Sequence, residues 1–346
     1  MLSENAAKLA EYIHANPSLS SRKLHEKAGL GLGYATVKRL LVQLTTEGWV
    51  QSVGKGRATR YIAGLDFELF YPLNIDTYFS QEIDERLIKT NFNWDLLRER
   101  LPQKHLFTEA ETAHLRSLQE RYSKNVEQLS EAEYQKELER LAIDLSWKSS
   151  QIEGNTYSLL ETEGLLKEKE TAEGKPRDDA TMLLNHKDTL DFIFANEGLA
   201  TPLNVAGIEH IHSLLMKDLG VENNIRRHKV GITGTNYLPL DNEFQIREAL
   251  QLTCELVNSK SNPFEKALLV LVLFSYIQAF DDGNKRTARI VSNMLLIDHQ
   301  YCPISFRTVS SIDYKKAMLM FYEQNNISAF KQIFMDQYEF AVNTYF

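Results

Sequence analysis

The segment 280–289, FDDGNKRTAR, has the residue types of an anion-binding loop that runs into the start of a helix. Gly283 allows a tight turn. A helix that begins near Asn284 directs its first N–H groups outward, with the positive end of the helix dipole behind them. Two of the cations that follow, Arg286 and Arg289, are three residues apart and share a helix face. The segment therefore predicts a site for the phosphates of a nucleotide.

Asp282 places a carboxylate next to the expected phosphates. Mg²⁺ usually binds to proteins through one or two carboxylates together with phosphate oxygens of a substrate. Asp282 is therefore the predicted ligand of a Mg²⁺ ion that accompanies the bound phosphates. Each residue alone would fit an ordinary helix start with solvated charges. A glycine, an amide, three cations and a carboxylate within 282–289 favour anion binding.

The segment resembles the signature motif of the Fic family, His-x-Phe-x-(Asp/Glu)-Gly-Asn-(Gly/Lys)-Arg-x-x-Arg. The similarity extends over roughly 145–346 and includes IEGNT at 152–156 and the helical sequence at 305–326. It implies a mostly helical fold that transfers AMP from ATP to a hydroxyl group of a target protein. The motif is matched at Phe280, Asp282, Gly283, Asn284, Lys285, Arg286 and Arg289.

The resemblance also implies a role for each matched position. The helix start, Asn284, Lys285 and Arg286 would stabilise charge on the α-phosphate and the departing pyrophosphate, and Arg289 would bind the γ-phosphate. The implied catalytic positions are Gln278, Asp282, Asn284 and Arg286.

The segment 229–237, KVGITGTNY, alternates β-branched residues with glycines and predicts a short β-hairpin. An isolated hairpin in a helical domain is not a core element, so we interpret it as a flap. The resemblance implies that the flap holds a segment of the unknown target protein by strand pairing. The residues expected to bind ATP or a related nucleotide are Val230, Ile232, Thr233, Gly234, Asp282, Gly283, Asn284, Lys285, Arg286, Arg289 and, for the adenine, Tyr322, with Tyr314 as an alternative.

Gln278 occupies the position at which the family motif has a histidine, the base that accepts the proton of the target hydroxyl. An amide can orient a hydroxyl but cannot accept its proton, and general-base assistance typically contributes ~10²–10⁴ in rate. We therefore expect AMP transfer to be weak, absent or altered. Asp281 is the alternative acceptor. The sequence indicates no route to the site for His210, His212, His228 or His299.

A second family signature precedes the first. Ser149-x-x-x-Glu153-Gly154 resembles the Fic inhibitory motif, (Ser/Thr)-x-x-x-Glu-(Gly/Asn). Ser149 and Glu153 are four residues apart and share a helix face. The resemblance implies that Glu153 neutralises Arg289 and displaces the γ-phosphate. A surface carboxylate near a helix end is the plain alternative.

The first 65 residues have the order of a winged helix-turn-helix domain: three helices, then a basic hairpin. They resemble bacterial winged-helix regulators, in which the third helix enters the major groove and the wing meets phosphates. The alternative is a winged helix that binds proteins. The residues expected to contact DNA are Tyr34, Thr36, Lys38, Arg39, Lys55 and Arg57, with Gln43 and Arg60 nearby.

The length of 346 residues favours more than one domain. We expect a winged helix at 1–65, a helical connecting region at 66–144 and a Fic domain at 145–346. Residues 1–65 carry a net charge of +5 within a chain of net charge −8, so the remainder carries −13. The two cysteines lie in apolar segments and no apolar run is long enough to cross a membrane, which together favour a cytoplasmic protein.

Three functions remain open from the sequence. The first is a Fic-type enzyme with reduced AMP transfer. The second is a non-catalytic, nucleotide-sensing transcription regulator that binds DNA. The third is transfer of a different group to a nucleophile that needs no base. A homodimer is a further possible assembly.

Overall fold

The computed structural model describes residues 2–196 and 198–346. These residues form two compact units. The first comprises the chain up to Asn74 together with Gln324–Ser328, and the second comprises Ile75–Glu323 and Ala329–Phe346. The first unit therefore extends beyond the winged-helix segment and includes the junction between the two C-terminal helices.

The first unit is a winged helix. Its apolar positions recur at helical spacing, and these side chains form one core: Leu9, Ile13, Leu24, Val37, Leu41, Leu44 and Phe67 are all buried. The hairpin is antiparallel and pairs Val50 with Ala63 and Val53 with Arg60. The elements are α1 (Glu4–Ala15), α2 (Ser21–Lys27), α3 (Tyr34–Thr46), β1 (Val50–Val53), β2 (Arg60–Ala63) and α4 (Leu65–Phe70).

The second unit is helical, and serine or threonine caps with a glutamate three residues later fix the starts of three helices. Thr108, Ser130 and Ser158 accept these N-cap hydrogen bonds. A π-helical turn at Leu96–Arg100 precedes the helix that begins at Glu109. The helices are α5 (Ile75–Phe79), α6 (Glu109–Val126), α7 (Glu131–Ile152), α8 (Leu159–Glu168), α9 (Arg177–Ala195), α10 (Val205–Leu215), α11 (Glu243–Ser259), α12 (Pro263–Ile277), α13 (Asn284–Asp298), α14 (Ser311–Gln324) and α15 (Ser328–Tyr345).

Helix α12 lies at the centre of this unit. It is apolar on every face, and all its residues from Ala267 to Ile277 are buried. It packs against α11 and, most extensively, against α13. Helices α7, α9 and α10 contact α13 as well. The expected phosphate-binding segment therefore lies between two helices that cannot move without disturbing the core.

The expected hairpin at 229–237 is not formed. These residues have no strand pairing and run as an irregular loop. Gly234 has a φ of +89° within a turn at 233–234, but the segments on its two sides do not pair, and the Leu238 N–H donates to the Thr90 carbonyl instead. The nearest pairing is an isolated parallel bridge between Leu238 and Asn91. The sheet found among the described residues has two strands, β1 and β2, which form the wing of the first unit. We keep the name flap for the loop 229–237.

Candidate functional site

The loop between α12 and α13 is closed by one amide side chain. The Nδ2 group of Asn284 donates to the carbonyl oxygen of Phe280 at 2.7 Å, and the Phe280 N–H donates to Asn284 Oδ1 at 2.9 Å. Gly283 caps α13 with a φ of +79°, and a Cβ atom there would lie 2.6 Å from Met216 Sδ. The helix start is thus fixed from inside the loop and by Met216, which directly follows α10.

Gln278 ends α12 in the left-handed conformation, with a φ of 52°. Its Nε2 group donates to the Ser275 carbonyl at 2.6 Å, and its Oε1 atom accepts from Asn284 Nδ2 at 3.2 Å. The side chain is therefore held at the mouth of the loop with both ends bonded. An amide in this position can orient a hydroxyl group but has no basic nitrogen.

Two guanidinium groups lie behind the loop. The side chains of Arg286 and Arg289 are 2% and 0% exposed, and a buried charge needs a partner. Arg286 Nη2 lies 2.8 Å from Asp282 Oδ2. Arg289 donates to Ser149 twice, from Nε to Oγ at 2.8 Å and from Nη2 to the carbonyl at 2.9 Å. One member of the predicted inhibitory motif therefore holds the last arginine of the phosphate motif.

Glu153 provides the countercharge. Its Oε1 atom lies 2.8 Å from Arg289 Nη2, and its Oε2 atom lies 3.1 Å from Lys285 Nζ. Burial alone would raise the pKa of Glu153, but the charges and hydrogen bonds of Arg289 and Lys285 lower it to about 2. The carboxylate is therefore ionised across the physiological range and occupies a place suited to a phosphate oxygen.

The cavity at this site is small. Its volume is about 60 Å³, whereas pockets for small molecules usually have volumes of ~300–1,000 Å³. Glu153 forms part of its wall, so the carboxylate is one of the groups that limit the space. The lining residues are Glu153, Gln278, Asp281, Asp282, Gly283, Asn284, Lys285 and Arg286.

Asp282 has the accessibility that a metal ligand requires. Its side chain is 64% exposed, although one oxygen accepts from the Gly283 N–H at 2.6 Å and the other pairs with Arg286. Among the described residues, no group of three His, Cys, Asp or Glu side chains could hold a metal. A Mg²⁺ ion at Asp282 would thus need oxygen atoms from a bound nucleotide, which is the usual arrangement for this ion.

Three histidines lie closer to the site than the sequence indicated. His212 of α10 has its Nε2 atom 3.0 Å from the Asp282 carbonyl oxygen and its ring stacked on Phe280 at a centroid distance of 3.7 Å. His228 Nε2 lies 3.2 Å from Asp281 Oδ1, so Asp281, the alternative proton acceptor, already has a partner. His186 of α9 is fully buried, and burial together with Arg289 and Arg286 keeps its pKa well below the ordinary value.

Some predicted nucleotide-binding residues lie outside the cavity. None of the flap positions Val230, Ile232, Thr233 and Gly234 is among its lining residues. Tyr322 is fully buried and packs near the rings of Tyr237 and Tyr276, and Tyr314 lies against the guanidinium of Arg289. The cavity is thus lined by the motif, Gln278 and Glu153, and not by the flap.

The predicted DNA-contacting residues lie on one helix and on the wing. Tyr34, Lys38 and Arg39 of α3 are exposed, whereas Thr36 is half-buried. Lys38 Nζ lies 5.8 Å from the centre of the Tyr34 ring, and the Tyr34 hydroxyl is 3.0 Å from Ser21 Oγ. Lys55 and Arg57 are exposed on the wing. The unit therefore presents cations on the two elements with which winged helices contact DNA.

Comparisons with known families identify both parts of the chain. The model of the Fic/DOC family matches residues 202–296, which include the whole phosphate motif. The model of the penicillinase repressor matches residues 2–91. The chain therefore contains a Fic/DOC domain segment at 202–296 and an N-terminal, repressor-like winged helix. No helix in the described part of the chain is long and apolar enough to span a bilayer.

Solved structures with a similar fold include Fic proteins from three organisms. Fic-1 from C. elegans is 19% identical, with 68% of this chain and 72% of that chain covered and a TM-score of 0.60. A Fic family protein from Desulfovibrio desulfuricans G20 is 19% identical, with 69% and 74% covered and a TM-score of 0.58. A Fic domain containing signaling protein from Bacteroides thetaiotaomicron is 19% identical, with 66% and 94% covered and a TM-score of 0.56. At this identity the similarity establishes the fold.

Proposed function

We propose that this chain is a nucleotide-binding protein of the Fic type whose site is closed by Glu153 and whose AMP transfer is weak or altered because Gln278 replaces the base. The observation that carries the proposal is the double contact of Glu153 with Arg289 and Lys285 at the start of α13. A carboxylate bonded to two cations of a phosphate motif stands where a phosphate group would otherwise bind.

Inhibition follows from competition for the same donors. Glu153 and Ser149 occupy the Nη2 and Nε groups of Arg289, so these two donors are not available to a γ-phosphate. The low pKa of Glu153 means that acidification within the physiological range does not release it. Release therefore requires that the end of α7 moves or that another anion replaces the carboxylate.

With Glu153 displaced, the site has the parts for binding ATP phosphates. The first N–H groups of α13, Lys285 and Arg286 supply donors that are already fixed in place, which is the main way in which enzymes stabilise developing charge. Mg²⁺, held by Asp282 and phosphate oxygens, would neutralise charge on the phosphates. Gln278 Oε1 would accept a hydrogen bond from the target hydroxyl and orient it without removing its proton.

The test measures ATP binding and transfer separately. Calorimetry with ATP and Mg²⁺ should give at least tenfold tighter binding to Glu153→Gly than to the unchanged chain. Glu163→Gln, a change in an exposed ion pair of α8, is the control and should bind ATP as the unchanged chain does. If Glu153→Gly binds no ATP, the nucleotide-binding proposal is wrong.

Labelled ATP then tests transfer. Gln278→His restores an imidazole at a left-handed position, where histidine is among the better tolerated residues. We expect the Glu153→Gly, Gln278→His double variant to label itself or lysate proteins, and Glu153→Gly alone to label them ~10²–10⁴ times more slowly. Absence of label with the double variant would rule out the transferase reading.

A second function, nucleotide-dependent DNA binding, is favoured by the exposed cations of α3 and the wing. The probe is a fluorescent duplex of random sequence, titrated with Glu153→Gly in the absence and presence of ATP and Mg²⁺. A change in DNA affinity on adding nucleotide supports a regulator, and equal affinities with and without nucleotide contradict it.

A further inference from the structure

Arg226 lies outside the phosphate motif and is 3% exposed. Its Nε group donates to the carbonyl oxygen of Gln278 at 2.6 Å. Its two terminal nitrogens donate to the carbonyl oxygens of His228 and Leu240. Its backbone N–H donates to the Ala279 carbonyl at 3.1 Å. One residue thus holds four carbonyl groups that belong to three parts of the chain.

These carbonyls join the flap to the loop. His228 directly precedes the flap, and Leu240 follows it closely. Gln278 and Ala279 are the residues that leave α12 for the phosphate loop. Arg226 therefore fastens both ends of the flap to the backbone of the residue that, in the proposed function, meets the target hydroxyl.

The chemistry of the arginine suits this task. A guanidinium is planar and carries five N–H donors in a fixed arrangement, whereas a lysine ammonium is a single point. The left-handed conformation of Gln278 ends the helix, so its carbonyl oxygen needs a partner from elsewhere, and a buried carbonyl without one destabilises the fold. Lysine at position 226 could satisfy one of the three side-chain acceptors but not all of them together.

A second arginine holds the flap at a different place. Arg86 donates to the Gly234 carbonyl at 3.0 Å and to the fully buried carboxylate of Glu323 at 3.1 Å. Neither contact involves the loop after α12. Arg86 therefore fixes the middle of the flap to α14, whereas Arg226 fixes the ends of the flap to residue 278.

We propose that Arg226 is a positioning residue that sets the distance between the flap and residue 278. A target segment lying along the flap would then present its hydroxyl at that residue. The first half of this inference concerns the structure alone, and the second half rests on the proposed function.

The experiment compares two substitutions of adjacent arginines in the full-length chain. Arg226→Lys keeps the charge but cannot span the three carbonyls. Arg227→Lys is the control, because the side chain of Arg227 is 77% exposed and pairs with the carboxylate of Glu243 at 2.8 Å. Hydrogen exchange of the amides in and around the flap is measured by mass spectrometry, alongside the thermal unfolding midpoint. We expect exchange of the amide of residue 226, which donates to the Ala279 carbonyl, and of Leu238, which donates to the Thr90 carbonyl, to rise at least tenfold in Arg226→Lys and to remain unchanged in Arg227→Lys.

The same comparison is repeated in the Glu153→Gly, Gln278→His background. Arg226→Lys should reduce the rate at which lysate proteins are labelled at saturating ATP by at least tenfold, with the Kd for ATP changed less than twofold. An equal loss of ATP affinity would indicate a general structural role and overturn the proposal. If the background labels nothing, transfer is disproved, whereas hydrogen exchange still decides whether Arg226 holds the flap.

Arg226→Lys could lower stability throughout the unit. Arg86→Lys therefore serves as a second variant, since it loosens the flap without touching residue 278. We expect it to raise exchange of the Tyr237 amide, which donates to Thr235 Oγ1 close to Gly234, but to leave exchange of the Arg226 amide, which donates to the Ala279 carbonyl, unchanged. Unchanged exchange at positions 226 and 238 in a folded Arg226→Lys protein, or the same exchange pattern in both lysine variants, contradicts the assignment.

Discussion

The two units use the same basic side chains in opposite surroundings. In the winged helix, Lys38, Arg39, Lys55 and Arg57 are exposed. In the Fic unit, Arg286 and Arg289 are buried and face carboxylates or carbonyls at 2.8–2.9 Å. Exposed charges act over a distance and are screened by salt. Buried charges are directional, and loss of one partner leaves the other without compensation. The first arrangement suits a polyanion with a variable surface, and the second suits one small anion in one pose.

The largest effect should follow from breaking a buried pair. Glu153→Gln leaves Arg289 without its countercharge and should lower the free energy of unfolding of the Fic unit by about 3 kcal/mol. Urea unfolding in a Trp49→Phe background measures this, because fluorescence then reports Trp94 and Trp147 of the second unit. Folding lowers the pKa of Glu153 from 4.5 to about 2. The stabilisation from this ion pair is therefore present above about pH 4.5 and is lost as the pH falls towards 2.

The matched control is an exposed pair of the same chemistry. Arg22 and Glu26 lie 3.1 Å apart on α2, and their side chains are 83% and 54% exposed. Glu26→Gln should change the unfolding free energy of the first unit by less than about 0.5 kcal/mol. Equal losses of unfolding free energy in Glu153→Gln and Glu26→Gln would contradict the distinction between buried and exposed ion pairs.

Salt should weaken DNA binding by the winged helix more than it weakens ATP binding by the Fic unit. If four cations of the winged helix meet phosphates, raising the salt from about 50 to about 200 mM should weaken duplex binding on the order of 100-fold. ATP binding by Glu153→Gly should weaken less than about tenfold, because buried charges are screened less. Anisotropy of a labelled duplex measures the salt dependence of DNA affinity, and calorimetry measures that of ATP affinity. A weaker salt dependence for DNA than for ATP would contradict this prediction.

Gly283→Ala tests how rigidly the anion loop is held. The substitution puts a side chain at a φ of +79° with its Cβ 2.6 Å from Met216 Sδ, so we expect a loss of stability of about 2 kcal/mol. Gly164→Ala is the control, since it lies within α8 and has nothing within 4 Å of the added carbon. It should stabilise the protein by up to about 1 kcal/mol, and chemical denaturation of both variants measures the difference.

The smallest effect concerns His186 and pH. Burial, Arg289 and Arg286 lower its pKa in the folded state, so the unfolded chain binds a proton more readily. Stability should therefore fall as the pH drops below about 6.5, with a slope of at most about 1.4 kcal/mol per pH unit. His186→Gln should flatten this slope between about pH 6.5 and 5, and an unchanged slope would show that other groups control it.

Much of the fold follows from local sequence signals. Helix α13 begins at Asn284 as expected from Gly283, and α12 ends before Gln278, because caps and apolar periodicity are encoded within a few residues. The structure and the comparisons confirm the predicted order of elements in the winged helix and the predicted Fic-like fold. The contact of Glu153 with Arg289 agrees with the expectation drawn from the resemblance.

The rest depends on contacts between distant residues. The alternation at 229–237 predicted a hairpin, but the chain here bonds to distant residues instead: the Gly234 carbonyl accepts from Arg86, and the Leu238 N–H donates to Thr90. His212 stacks on Phe280 although 68 positions separate them in the sequence. Arg226 carries no motif, and its role is set by which carbonyls the fold brings around it. Periodicity and spacing contain no information about which distant residues come into contact.

The left-handed backbone at Gln278 has a consequence for the history of this site. Histidine tolerates that conformation, and the codons of glutamine and histidine differ only in their third base. Ser275 and Asn284 bond to the amide side chain of Gln278, whereas Arg226 bonds to its backbone carbonyl, a contact that does not depend on the side chain at position 278. A lineage carrying this chain could therefore gain or lose the base through a single point mutation, without rebuilding the loop.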